Sequence, residues 1–207
     1  MQLVTTMNLW TIESELLADG FETICGVDEA GRGPLAGPVY AAAVILPFGC
    51  DIAGLDDSKK LTENMRRKLY DEITSIAIAF SIASADHREI DSINILNATY
   101  LAMNRAIDAL AIKPDIALID GNRATGVTHN NKCVIGGDGK SASIAAASIL
   151  AKVARDAHML ELAEEYPQYG FERHKGYGTK LHYDMLREHG PSDIHRLTFL
   201  KKLYEKR

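Results

Sequence analysis

The sequence predicts an α/β fold: a mixed β-sheet flanked by helices, with a small helical appendage at the C-terminal end. Three observations predict it. Two short apolar runs, Thr23–Asp28 and Val39–Leu46, follow one another closely and suggest an antiparallel hairpin. Later apolar runs alternate with amphipathic stretches, which suggests parallel crossovers. The final stretch carries helical patterns alone. The expected division is a main α/β domain over 1–170 and a helical extension over 171–207.

Each element has a local cause. A short helix is expected over Asn8–Ala18, stopped by Asp19-Gly20. Thr23–Asp28 reads as a buried strand, and the chain then turns through Gly31, Gly33 and Pro34. Val39–Leu46 is a second strand, closed by Pro47 and Gly49. Ser58 or Thr62 can cap a helix running to about Thr74, with Met65, Leu69 and Ile73 on its apolar side. Ile76–Ala85 reads as a third strand, and Ile93–Leu110 as an amphipathic helix ending before Pro114. Ile116–Ile119 is a fully apolar fourth strand with Asp120 at its carboxyl end, and Cys133–Ile135 is a short fifth. A long Ala- and Ser-rich helix is expected from Ser141 to about Glu165, then shorter ones near Thr179–Glu188 and His195–Glu205.

Composition narrows the classes of function. The chain has 207 residues, 46% hydrophobic and 25% charged, an ordinary globular mixture with enough length for a substantial core. The longest apolar stretch, Val39–Phe48, is about half what a membrane helix needs. Residues 1–20 carry no basic start followed by an apolar run and a small-residue cleavage site, so no signal peptide is expected. Cys25, Cys50 and Cys133 fit neither a disulfide framework nor a zinc knuckle, and a reducing cytoplasm is the natural setting. The net charge of −5 is unevenly spread: residues 172–207 carry nine Lys or Arg against five Asp or Glu. That basic tail and the cluster Lys59, Lys60, Arg66, Arg67 and Lys68 could hold phosphates, or form solvated faces.

Acidic residues at strand ends carry the chemistry. Asp28 and Glu29 close one apolar strand and Asp120 closes another, and strand ends in such a sheet open onto a crevice where ligands bind. Asp156 lies within the long helix, one turn after Lys152. Neighbours on a strand point to opposite faces, so Asp28 and Glu29 converge only where the chain bends, which Gly31 and Gly33 permit. Gathered carboxylates repel unless a cation neutralises them. An all-oxygen set suits Mg²⁺ or Mn²⁺, and a pair of such ions suits phosphodiester hydrolysis. Plainer readings stand beside this one. Asp120 before Gly121-Asn122 fits turn chemistry, and Asp156 fits an ion pair with Lys152.

Other motifs fail. Gly31-Arg32-Gly33-Pro34-Leu35-Ala36 matches a dinucleotide fingerprint in letters, but a strand follows it where a helix is required. Gly139-Lys140-Ser141 lacks the earlier glycine of a P-loop, since Val134 stands there. The helix it opens could still hold a phosphate through backbone N–H groups and Lys140. His174 and His182 lack partners for a zinc set, and surface histidines are the expectation. No nucleophile elbow or Ser-His-Asp order is present.

Taken together, the segments resemble the type 2 ribonucleases H, the bacterial ribonuclease HII family. Gly26 to Val39 resembles the signature segment, and Asp57-Ser58-Lys59-Lys60-Leu61-Thr62 a second block. Further blocks are Ile119-Asp120-Gly121-Asn122, Ala146 to Asp156, His174-Lys175-Gly176-Tyr177-Gly178-Thr179, and Gly190-Pro191 with His195-Arg196. They run in family order from about residue 22 to 199.

The resemblance implies a ribonuclease H-like fold, with a catalytic domain over 1–170 and a C-terminal helical substrate-binding extension over 171–207. It also implies that Asp28, Glu29, Asp120 and Asp156 hold two Mn²⁺ or Mg²⁺ ions when substrate is bound. Gly31, Arg32 and Gly33 would read ribose 2′-hydroxyls and Tyr177 would pack on the sugar at the RNA-to-DNA junction, while Lys59, Lys60 and Lys140 would contact phosphates. The implied substrates are RNA–DNA hybrids and duplex DNA with single ribonucleotides, cut on the 5′ side of the ribonucleotide. The expected enzyme is a cytoplasmic monomer, and Phe199 to Tyr204 shows no clear sliding-clamp peptide. A binding module without cleavage and a different two-metal phosphotransfer enzyme are the competing classes.

Overall fold

The computed structural model describes residues 8–55, 58 and 61–204. Five strands form one sheet in the order β3-β2-β1-β4-β5: β1 (Ile24–Ala30), β2 (Val39–Ile45), β3 (Ala79–Ala85), β4 (Ile116–Asp120) and β5 (Asn131–Val134). β1, β2 and β3 pair antiparallel, whereas β1–β4 and β4–β5 pair parallel. This is the mixed sheet that the hairpin and crossover patterns predict. The parallel register sets Val27 opposite Ile119, so Asp28 and Asp120 leave the sheet side by side.

Helices α1 (Thr11–Ala18), α2 (Glu63–Ile76), α3 (His87–Asp108) and α4 (Ala142–Glu165) surround the sheet. One face packs on α3 through Cys25, Val27, Val39, Ala41 and Met103. The other packs on α4 and α2 through Ala42, Val44, Leu69, Ala146 and Leu150. The small residues of α4 have a clear use. A Cβ at Gly26 would fall on the backbone of Ser143 and Ile144, so helix and strand touch backbone to backbone there. That contact presses the α4 face directly onto the strand that carries Asp28.

Expected boundaries shift for local reasons. Thr62, not Ser58, caps α2, its hydroxyl accepting the Met65 N–H at 3.3 Å. α2 continues to Ile76, packed in the core, so β3 begins at Ala79 instead of Ile76. α3 starts at His87 behind a capping box in which Asp86 and Glu89 each bond the other's backbone. It kinks at Asn94, whose left-handed backbone breaks the turn while its side chain accepts from Leu96 and Asn97 and restarts it.

The C-terminal stretch folds as α5 (Phe171–His174), α6 (Lys180–His189) and α7 (Leu197–Tyr204). Phe171, Leu186, Ile194 and Leu200 share a small core with Leu35, Ala36 and with Met159 and Leu162 of α4. Ala36 forms a β-bridge with His195. Among the described residues no helix is long and apolar enough to cross a membrane.

Candidate active site

Asp28 sits near the end of β1, 4% exposed, on the face covered by α4. Its Oδ1 accepts the Glu29 N–H at 2.7 Å. Asp120 ends β4, and its Oδ1 accepts the Gly137 N–H at 2.6 Å. That bond draws the turn after β5 toward the strand end and brings in Asp138, from the 3₁₀ turn Gly137–Gly139. One carboxylate oxygen from each of Asp28, Asp120 and Asp138 lies within 4.8 Å of the others. Burial pushes the Asp28 carboxyl well above the ordinary carboxylate range, and the charges of Glu29 and Asp120 push it further. A Ser148 hydroxyl from α4 and the Glu29 N–H oppose that rise. Crowded, buried oxygens of this kind fit a hard divalent cation, which would remove the repulsion.

Glu29 stands slightly apart. β1 stays extended through Ala30, and the Glu29 Oε1 accepts from Arg32 Nη1 at 3.2 Å. Its charge still reaches the Asp28 carboxyl. Asp156 is not brought to this cluster. It pairs with Lys152 Nζ at 2.7 Å and lines a cleft with Glu63, Arg66, Arg67 and Tyr70. The plainer reading of Asp156, as the i,i+4 partner of Lys152, describes that contact.

Asp138 is the residue that sequence reasoning missed. A signal was present: β5 runs parallel beside β4, so the end of β5 must open where Asp120 sits. The Gly-rich surroundings drew the reading toward phosphate loops instead.

The Gly31–Gly33 loop is built from behind by two buried arginines. Arg196 donates from Nη2 to the Gly31 carbonyl at 2.7 Å, from Nη1 to Arg32 at 2.9 Å and from Nε to Gly37 at 2.9 Å. Arg155 donates to the carbonyls of Pro38 and Lys175. A Cβ on Gly31, at φ +95°, would fall inside the Arg155 side chain. Both guanidiniums are depressed below the usual arginine range, chiefly by burial. Tyr177 is 43% exposed and lies over Arg155, whose guanidinium carbon is 5.7 Å from the ring centre. A Cβ on Gly33 would lie 3.7 Å from Tyr177 Cε1, so loop and ring face each other across a narrow gap.

The expected phosphate contacts fare unevenly. Lys59 and Lys60 lie outside the described residues. Arg66 donates to the Ser58 and Leu61 carbonyls, and Arg67 pairs with Glu63, so both are engaged within the protein. Lys140 Nζ rests on the Ile135 carbonyl at 2.7 Å, at an exposed position. The N-terminus of α4 is not an open anion site: the Ser143 N–H bonds Glu13 and the Ile144 N–H bonds Ser141, both side chains buried. The expected surface histidines are also corrected. His174 and His182 are buried and stacked 4.5 Å apart, among Tyr169 and Phe171.

A mixed sheet with carboxylates at adjoining strand ends, backed by a long helix, defines a ribonuclease H-like hydrolase. The comparisons carry this further. A family model described as ribonuclease HII matches residues 25–202. A ribonuclease HII of Caldicellulosiruptor bescii is 53% identical over 98% of both chains. One of Burkholderia mallei is 55% identical over 86% of this chain and 83% of its own. Among solved structures, the ribonuclease H2 of Pyrococcus horikoshii superposes with a TM-score of 0.73 at 26% identity, covering 89% of this chain and 98% of that one. The RNase HII of Archaeoglobus fulgidus, solved in complex with PCNA, shares the fold at a TM-score of 0.67 and 24% identity, over 85% and 94%. The chain belongs to the ribonuclease HII family. It is a ribonuclease H, a hydrolase of the nuclease class.

Proposed function

We propose that this enzyme hydrolyses the RNA strand of RNA–DNA hybrids and also incises duplex DNA on the 5′ side of a single embedded ribonucleotide. Its products carry 3′-hydroxyl and 5′-phosphate ends. One observation carries the reading: the strand that carries Asp28 near its end runs straight into the Gly31–Gly33 loop, which faces Tyr177. A group for cutting a phosphodiester thus adjoins a surface for testing the sugar beside it.

The ligand set that the geometry supports is Asp28, Asp120 and Asp138, with Glu29 beside them. Asp138 takes the place expected of Asp156. Two ions, Mn²⁺ or Mg²⁺, are proposed with substrate bound; they would supply water activation and stabilisation of the leaving oxygen. The chain's own residues do the rest. Ser148 and the Glu29 N–H orient Asp28. The Gly137 N–H orients Asp120. Gly31 and Arg32 turn their carbonyls inward onto Arg196, which leaves the loop's outer side for a ribose 2′-hydroxyl, the group that separates RNA from DNA. Tyr177 stacks on the sugar next to it, and Lys140, with Lys59 and Lys60, holds flanking phosphates.

The test uses duplex DNA with one ribonucleotide, an RNA–DNA hybrid and an all-DNA control, each with Mn²⁺ or Mg²⁺. Cutting of the first two is expected, with the incision mapped 5′ of the lone ribonucleotide. Equal cutting of the all-DNA control, or none of the single-ribonucleotide duplex, refutes the proposal.

A further inference from the structure

Three buried histidines, outside the acidic cluster, have a hydrogen-bond pattern with only one solution. The Tyr177 carbonyl can only accept, so His182 Nδ1, 3.0 Å away, carries a proton. In a neutral ring His182 Nε2 is then an acceptor. His195 Nε2, 3.0 Å from it, must donate. His195 Nδ1 is left as acceptor, and both the Ser192 N–H at 2.9 Å and the Ser192 hydroxyl at 2.8 Å point at it. A proton added to His182 would set two N–H groups against each other. One added to His195 would oppose the Ser192 N–H. His174 repeats the logic, accepting from the Gly176 N–H at Nδ1 and donating from Nε2 to the Tyr169 carbonyl.

We propose that His182 and His195 are positioning residues for Tyr177, forming a one-way chain from Ser192 through both rings to the Tyr177 carbonyl. The proposal rests on the reading of Tyr177 and the Gly31–Gly33 loop as the sugar-facing surface. Tyr177 is 43% exposed, so the Arg155 guanidinium against its ring does not by itself fix its place. Its backbone does. The Tyr177 N–H bonds the His174 carbonyl, and the Tyr177 carbonyl takes the Thr179 N–H as well as His182. The other end of the chain is tied to the loop. His195 bridges Ala36, and the next residue, Arg196, holds the Gly31 and Arg32 carbonyls. One dipeptide, His195-Arg196, therefore grips both walls of the gap between Gly33 and Tyr177. Both rings are almost fully buried beside Tyr169 and Phe171. Burial pulls each down to about 4, in keeping with neutral rings at working pH.

Two measurements test this. Side-chain ¹⁵N NMR of the intact protein at pH 7 should report His182 protonated at Nδ1 and His195 at Nε2; the opposite tautomers, or a charged ring, overturn the proposal whatever any variant does. His182→Phe keeps a ring and removes both nitrogens. It should cut kcat/KM on the single-ribonucleotide duplex about tenfold, as expected for one lost hydrogen bond, with His182→Gln restoring part of the rate. In a Tyr177→Ala background, His182→Phe should cost nothing further. An equal loss in that background, or wild-type rates for His182→Phe when Tyr177→Ala is impaired, overturns the chain. Wild-type rates for Tyr177→Ala alone would instead overturn the reading of Tyr177. If His182→Phe does not fold, the tautomers decide.

Discussion

Substituting alanine at Gly31 and, separately, at Gly33 should divide one loop into a part that holds structure and a part that meets substrate. At Gly31 the backbone has φ +95°, a region that costs a residue with a Cβ about 1–2 kcal/mol. The new methyl also falls inside Arg155, which is fully buried and cannot swing into solvent. Overpacking of that kind costs about 1–3 kcal/mol. Together the two terms destabilise by about 2–5 kcal/mol, and a chain of this size loses about 2–4 °C of Tm for each. Gly31→Ala should therefore melt roughly 10 °C below wild type. At Gly33 the methyl meets only the edge of Tyr177, at 3.7 Å. Gly33→Ala should change stability by less than about 0.5 kcal/mol. It narrows the gap where the sugar is placed, so cutting at single ribonucleotides should fall while the melting curve does not move. Calorimetry and a gel assay on both variants check this. Equal melting temperatures for the two, or a stable Gly31→Ala, would refute the account of the loop.

Four other outcomes follow from the site. Asp138→Asn should lower cleavage at least about 100-fold, the upper end of what loss of a supporting ligand contact costs. Asp156→Asn should leave the rate within a few-fold, since it removes one partly buried i,i+4 pair with Lys152 that lies outside the acidic cluster; the reverse ranking in steady-state assays would return Asp156 to the metal set. The raised Asp28 carboxyl means that the folded, metal-free protein binds a proton more readily than the unfolded chain does. Stability with chelator present should therefore fall as pH rises from the ordinary carboxylate range through the raised value. Asp28→Asn should remove that slope and melt higher at neutral pH, and an unchanged slope in pH-dependent melts would show the crowding to be unimportant. Arg196→Met should destabilise the fold by several kcal/mol, because it strands the carbonyls of Gly31, Arg32 and Gly37, each worth about 1–3 kcal/mol when left unpaired. A wild-type melting curve for that variant would refute the role given to it.

Much of this arrangement can be read in the residues. The hairpin, the parallel strands and the cap at Thr62, one of two candidates beside Ser58, follow from alternation and side-chain chemistry. Asp28 and Asp120 were found because both end apolar runs, and strand ends are where such sheets open. Asp138 obeys the same rule one strand further on, but β5 is only four residues long and the glycines after it suggested a different motif. Asp156 looked equivalent because local spacing says nothing about which way a helix faces; the direction is set by packing, and here it turns Asp156 toward Lys152. The histidines were least legible. Single polar residues far apart in sequence form a network only after the chain closes on itself, and the partners include main-chain carbonyls that no sequence pattern marks.

The two arginines behind the loop have a consequence for how the molecule is made. Gly31 and the guanidinium that holds its carbonyl are 165 residues apart. At a synthesis rate of about 5–20 residues per second, a growing chain waits about 8–33 seconds between them. All three clustered acids are in place long before Arg196 is added. During that interval the sheet has what it needs to gather its charges and Arg155 already backs Gly31, but the Gly31 and Arg32 carbonyls lack the donor that Arg196 supplies. In a nascent or C-terminally clipped chain those carbonyls go without their guanidinium, so the loop proposed to face the sugar is the last part of the site to be fixed.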